Sequence, residues 1–531
     1  MTTPDTLYRN ARIFSAAAEP WTDAVATAGD RIVGVGAEAL SAAGPATAVV
    51  DLDGAFVTPG ITDAHFHTLM AGEAIRRANL VRARDLGEIQ QLVRAWADAN
   101  ASSAWVLGRG WLHSSIPSGA PTRQMLDAVV ADRPVSLDAN DLHSAWVNTL
   151  GLGLLGINRD TPDPAGGEIV RDADGEPTGE LKETAVMQTW EYFSGITTDE
   201  QRDAQLATAL GAIAAAGISS VVDMALTRPD LEAMERAERA GTLTARIRAH
   251  VLLSETGDPL EQISDASALA AEHASPWLRV VGVKIVSDGV IDACTAAMLW
   301  PYANGTHPPA IWEPDALRPA VLAADAAGLQ IAIHAIGDAA IRNALDAFEE
   351  AARVNGSSGR RHRIEHIELP DPADIPRFGS AGVTASMQPV HADPAIRDNW
   401  AAMLGDERAN RGFPWTALLA STRLVLGTDA PTAPMEALPN LFIAATRRSG
   451  LDPSLPAPAG EAVLDLATAL RGMTLEAAWS CGDDLERGSL EPGKLADLTV
   501  IDTDPFERGS EALLDAQVLR TVVGGRTVYE G

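Results

Sequence analysis

Short apolar runs recur along the chain, and most are followed by stretches whose apolar positions repeat at helical spacing. The runs Ile61–His65, Ile218–Ala225, Arg246–Leu253, Val280–Ser287, Gln330–His334, His362–Ile367, Val383–Gln388 and Leu424–Thr428 predict strands. Asp199–Ala216, Asp315–Ala327, Asp338–Asn355, Pro370–Phe378 and Met435–Ser449 predict helices between them. A helix between successive strands carries the chain back, so the strands run parallel. Eight such strands predict an α/β fold, a (β/α)8 TIM-like barrel. About 150 residues separate the first strand from the second, too many for a passive loop, so a large insertion at about 70–195 carries structure of its own. Leu7–Phe14, Val25–Thr27, Arg31–Val35 and Val49–Leu52 at one end are strand-like. So are Leu498–Ile501 and Val518–Tyr529 at the other, with a hairpin turn signal at Gly524-Gly525. Together they predict a small composite β-sandwich from residues 1–58 and 485–531, enclosing a barrel domain at 59–484.

Composition narrows the function. At 531 residues the chain exceeds one compact core, in keeping with a barrel that carries additional units. A formal net charge of −31 disfavours nucleic acid and anionic membranes as partners, because a polyanion is repelled by both. No apolar run approaches the roughly 20 residues of a membrane span. Met1–Ser15 has no basic segment leading into an apolar one, so no secretory signal is expected. Two cysteines, Cys294 and Cys481, support neither a disulfide framework nor a Cys-rich zinc module, and fit a reducing cytoplasm. The expected partner is a small-molecule substrate, with a homodimer as one option for assembly.

The chemistry-bearing residues sit where predicted strands end. In Thr58-Pro59-Gly60-Ile61-Thr62-Asp63-Ala64-His65-Phe66-His67 an apolar strand follows Pro-Gly and finishes on two histidines. The period of two along a strand puts His65 and His67 on one face, so both imidazoles can reach one ion. Gln330–His334 delivers His334, Arg363-Ile364-Glu365-His366 delivers His366, and Leu424–Asp429 delivers Asp429. A histidine taken singly is more often a satisfied core or rim residue. Four of the chain's 11 histidines at the rim where such barrels keep their functional groups are harder to explain that way. Lys284 lies within Val280–Val286, where burial would lower its pKa and let the amine capture carbon dioxide as a metal-bridging carbamate. The alternative is a lysine paired with a nearby acid such as Asp288.

Taken in order, these pieces resemble the amidohydrolase superfamily, specifically its amidohydrolase-3 branch with the N-substituted formamide deformylases. Asp63–His67 resembles the first-strand metal motif, and Gly175–Gly179 followed by Glu183 resembles the branch's insertion signature. Val283-Lys284, Asp288-Gly289 and Thr295–Ala297 resemble its fourth-strand region. His334–Asp338, Arg363–His366 and Gly427–Pro431 resemble the fifth, sixth and eighth strands, and Gly488–Leu498 the entry to the C-terminal sheet. Two positions depart from the pattern. Leu142 stands where the branch carries the glycine of Asp-Gly-His, and Cys294 where many members carry arginine. Both departures bear on substrate rather than on metal chemistry.

The resemblance implies a metal-dependent hydrolase cleaving an amide or related C–N bond. His65, His67, His334 and His366 would hold one or two divalent ions, with Lys284 as carbamate bridge and Asp429 as ligand and proton shuttle. A donor set of imidazole and carboxylate suits zinc, with manganese or iron(II) as substitutes. Trp111, His143, Trp146, Trp300, Tyr302, Gln388 and His391 are candidates for the substrate-binding wall, ordinary core packing being the alternative for the aromatics. Two other readings stand beside this one. The same fold could act as a deaminase, lactonase or decarboxylase, or the chain could be a metal-free binding protein.

Overall fold

The computed structural model describes residues 3–116, 120–139, 144–164, 167–356, 359–397, 399–456 and 463–531. The eight expected strands all form: β1 (Ile61–Phe66), β2 (Ile218–Leu226), β3 (Arg246–Leu252), β4 (Leu278–Val286), β5 (Gln330–Ala335), β6 (Arg363–His366), β7 (Thr384–Met387) and β8 (Leu424–Leu426). They make one sheet in sequence order, each parallel to the next. The sheet closes on itself between β1 and the residues after β8. There the Asp429 amide donates to the His65 carbonyl at 2.8 Å and the His67 amide to the Ala430 carbonyl at 3.0 Å. Gly427 is required at this seam, because a Cβ there would lie 2.4 Å from the His65 backbone nitrogen. Both faces of the barrel wall are buried, which is why its strands read as runs of Val, Ile and Ala rather than as alternation.

The helices between strands are one-faced. Asp338–Asn355 buries Ala340, Ile341, Ala344, Leu345, Ala347, Phe348 and Ala351, a spacing of three and four that makes one stripe. The helix expected at Pro370–Phe378 runs instead from Ile375 to Ala381. Pro370 and Asp371 precede the turn Pro372–Asp374 that leads into it, and Gly382 ends it at a φ of 66°.

The β unit expected from both termini is one hydrogen-bonded sheet. Its central strand, Thr6–Phe14, has a register shift between Arg9 and Ile13, with Asn10 at a φ of 57°. The half before that bulge pairs with Ala48–Asp51 and the half after it with Phe56–Pro59. Phe56–Pro59 in turn pairs with Leu498–Ile501, joining the two ends of the chain. Tyr8, Val25, Val57, Leu498, Val500 and Val522 share its apolar core.

Residues Leu69–Ala209 form a compact unit of their own, distinct from Met1–Thr68 with Leu210–Gly531. This unit holds a six-stranded sheet, in spatial order Gly167–Arg171, Pro177–Glu183, Ser144–Val147, Val135–Ala139, Val106–Trp111 and Ala78–Asn79. Among the described residues no helix is long and apolar enough to cross a membrane.

Candidate metal centre

The C-terminal ends of the barrel strands bring His65, His366 and Asp429 together, one ligand atom of each lying within 4.8 Å of the others, all three buried. His65 and His67 leave β1 on the same side, their rings 5.4 Å apart. Asp429 Oδ1 lies 2.9 Å from His67 Nε2 and 3.3 Å from His65 Nε2. The His366 ring sits 4.7 Å from that of His65 and 4.5 Å from that of His334. His366 and Asp429 adopt φ values of 73° and 63°, left-handed conformations that cost a non-glycine residue on the order of 1–3 kcal/mol and collect at functional sites. At β6 the reason is geometric. Period two would send Glu365 inward and His366 outward. The left-handed turn brings His366 in beside Glu365, so both consecutive side chains face the barrel interior.

The electrostatics favour neutral imidazoles around an anion. Burial, helped by Lys284, brings His65 down to about 4. Burial and Lys284 also bring His334 down to about 3, and burial with His334 and His65 holds His366 well below the usual range. Their ring nitrogens therefore keep lone pairs free at neutral pH. Burial alone would raise Asp429, but His65, His67 and His366 hold its carboxyl well below the usual range. The Nδ1 of His67 is buried without a hydrogen-bond partner among the described residues. These donors are imidazole nitrogens and carboxylate oxygens, with free lone pairs on a shared centre, and they fit a divalent ion.

Lys284 is buried on β4, and burial brings its pKa down to about 8 against the pull of Glu365 and Asp429. Asp288, the acid named as the alternative partner, instead accepts the backbone amides of Ala297, Ile336 and Gly337 at 2.9–3.0 Å. Its Oδ1 lies 3.5 Å from His334 Nε2.

The remaining expected residues divide. His391 and Gln388 lie beside the candidate ligands. His391 Nε2 is 3.5 Å from Asp429 Oδ2 and its Nδ1 is 3.2 Å from Glu368 Oε1, while Gln388 Oε1 accepts from His366 Nδ1 at 2.8 Å. Tyr302 is buried and its hydroxyl donates to the Ala296 carbonyl at 3.1 Å, whereas Trp300 is 69% exposed. Trp111 and Trp146 pack against one another in the core of the 69–209 unit, their indole N–H groups donating to the carbonyls of Leu137 and Thr122. His143 and Leu142 lie outside the described residues.

Sequence reasoning missed Asp63, Arg363, Glu365 and Glu368. Asp63 accepts from the His65 amide and from both the amide and hydroxyl of Thr428, tying β1 to the residues that carry Asp429. Glu365 Oε2 lies 2.7 Å from His65 Nδ1, and Arg363 bonds both Glu365 oxygens. The signal was available: Arg363 and Glu365 are two apart on a short apolar strand, where buried charges of opposite sign must find each other.

A family model described as the amidohydrolase family matches residues 48–529. The chain is 30% identical over 539 residues to Protein LONG AFTER FAR-RED 3 of Arabidopsis thaliana, covering 99% of this chain and 91% of that one. It is 29% identical over 532 residues to N-substituted formamide deformylase of Arthrobacter pascens, covering 96% and 95%. Among solved structures, an uncharacterized metal-dependent hydrolase from Pyrococcus furiosus superposes with a TM-score of 0.77 at 26% identity, covering 94% of this chain and 99% of that one.

Proposed function

The chain belongs to the amidohydrolase family, whose members are metal-dependent, and on that premise we propose that it hydrolyses an amide or related carbon–nitrogen bond of a small molecule. The observation that carries this reading is the buried convergence of His65, His366 and Asp429 at the C-terminal end of the barrel. His65, His67, His334, His366 and Asp429 would hold one or two divalent ions, zinc being the first candidate and manganese or iron(II) the next. When bound, such an ion supplies Lewis acidity, polarising the carbonyl and lowering the pKa of water towards neutrality.

The chain's own residues then handle the proton. Asp429, anionic at neutral pH, accepts the proton that the attacking water loses as its oxygen bonds to the carbonyl carbon. It returns that proton to the nitrogen as the C–N bond breaks, leaving an acid and an amine. His391, backed by Glu368, fixes the outer oxygen of Asp429 so that Oδ1 stays aimed at the histidines. Lys284 enters as a carbamate, formed when its neutral amine adds to carbon dioxide and releases one proton. Burial keeps a larger share of that amine neutral than in an exposed lysine.

N-formyl and N-acyl amines are the substrates to try first, because a relative matched over 96% of this chain deformylates N-substituted formamides. The test is elemental analysis of the purified protein, followed by chelation and reloading with zinc or manganese during assays on those amides. Turnover should vanish on chelation and return on reloading, with acid and amine in equal amounts. Full activity in protein shown to be metal-free would overturn the proposal.

A further inference from the structure

Behind the ligands lies a second layer of buried hydrogen bonds. His65 Nδ1 meets Glu365 Oε2 at 2.7 Å, and both side chains are almost wholly buried, at 1% and 0% exposed. Glu365 is itself held on both oxygens by Arg363, whose Nη2 also lies 2.6 Å from both the Ala64 carbonyl oxygen and Ser386 Oγ and whose Nη1 donates to Ser480 Oγ at 3.2 Å. Arg363 thus ties β6 to β1, to β7 and to the helix Leu475–Ser480, and the carboxylate between it and His65 has one orientation open to it. His366 has a different backing: the neutral amide oxygen of Gln388 at 2.8 Å from its Nδ1.

We propose that Glu365, clamped by Arg363, is a positioning residue that fixes His65 as its Nδ1–H tautomer and strengthens it as a metal ligand. The proposal rests on the metal reading above and adds to it a residue with a separate role. A neutral imidazole has one N–H and one lone pair. A carboxylate paired with a guanidinium can only accept, so the proton sits on Nδ1 and the lone pair on Nε2. That Nε2 is the nitrogen 3.3 Å from Asp429 Oδ1, on the side where the donors converge. An anion behind the ring also pushes electron density towards Nε2 and raises its basicity as a ligand, a recurrent device of metal–histidine–carboxylate arrangements. A neutral acceptor such as Gln388 orients its ring with a weaker push. His65 is therefore the anchoring histidine of the set and His366 the weaker one.

The competing explanation is that Glu365 serves only as the counter-charge that Arg363 needs in the barrel interior. Glu365→Asp separates the two, since it keeps a carboxylate for Arg363 but withdraws it from His65 by one methylene. Glu365→Gln keeps the shape and removes the charge. In full-length protein, zinc affinity is measured by competition with a chromophoric chelator, and the cobalt(II)-loaded protein is examined by its visible absorption, which reports ligand geometry. Both variants should bind zinc about 10- to 100-fold more weakly than wild type and give altered cobalt bands. If Glu365→Gln fails to fold because Arg363 is left unpaired, Glu365→Asp alone decides. Wild-type zinc affinity and wild-type cobalt bands in a folded variant would reduce Glu365 to a counter-ion and overturn the proposal. A wild-type protein that holds no metal would overturn the functional reading along with it, so the two failures are told apart.

Discussion

Asp429 touches three histidines through its two oxygens, so the proton-carrying role proposed for it has to be separated from a role in holding the site together. Asp429→Asn keeps the shape and an acceptor oxygen but removes the base. Metal content by elemental analysis should stay near wild type while the hydrolytic rate falls about 10²-fold or more. Retained rate with lost metal would make the residue structural. Lys284 is tested in the opposite sense: Lys284→Ala should lose both metal and activity, and a short carboxylic acid such as acetate should restore part of each. No recovery at any acid concentration would count against the carbamate. At this scale the sequence was legible wherever a residue type is rare for its setting, as with Lys284 inside Val280–Val286 or two histidines at one strand end. It was opaque wherever the role depends on a partner distant along the chain. Glu365 and His65 are 300 positions apart, and nothing local to either names the other. His362 shows the converse. It lies just before β6 and binds Asp325 at 2.8 Å and the Ile331 amide at 3.1 Å, a structural histidine of the same residue type as the candidate ligands.

Strands and helices were legible because the barrel wall is buried on both faces and its helices on one, so the two periods differ plainly. Ends were less so. β8 was expected to run to Thr428 but stops at Leu426: the Gly427 amide still donates to the Met387 carbonyl of β7 at 3.0 Å, and Thr428 then turns its amide to Asp63 of β1. Phe56–Pro59 went unread as a strand since Pro59 looks like a turn, although it pairs with Leu498 as the last residue of its strand. The close approach at Gly427 sets the spacing between the strand that carries His65 and the residue that answers it. A Cβ there would sit 2.4 Å from the His65 nitrogen and 2.8 Å from Asp63 Oδ1. Gly427→Ala should force the seam apart, costing about 1–3 kcal/mol of stability and releasing metal. Calorimetry and elemental analysis check the two effects together. A variant that melts lower yet keeps its full metal complement would show that the β1–β8 spacing does not govern the site.

The barrel and the terminal sheet are joined beneath the chemistry by buried ion pairs rather than by apolar packing alone. Arg246 on β3 makes a two-point bond to Asp497, whose backbone and side chain also accept from Gly60 and Gly524. Asp483 gathers Arg248 of β3 at 2.7 Å, Arg279 of β4 at 2.7 Å and Arg487 at 2.9 Å, and Arg487 reaches on to Thr62 of β1. The path of the chain out of the barrel is thus tied to three of its strands through one carboxylate. Burial opposes the charge on Asp483, but Arg487, Arg248 and Arg279 prevail and hold its pKa far below the ordinary value. A carboxyl whose folded pKa is depressed contributes stability that is present above its unfolded pKa of about 3.9 and is lost as pH falls towards the folded value. Thermal stability should therefore decline as pH drops below about 4, with Asp483 among the groups responsible. Asp483→Asn leaves three guanidinium groups facing an uncharged amide in a buried setting, and should cost about 3–5 kcal/mol at neutral pH. Because asparagine does not titrate, the variant should also lose less stability than wild type between pH 4 and the acid limit, so the two curves converge there. Melting curves of both proteins from neutral pH into that range test this. Parallel curves, with the same gap at every pH, would mean that Asp483 contributes shape and hydrogen bonds but no linked proton.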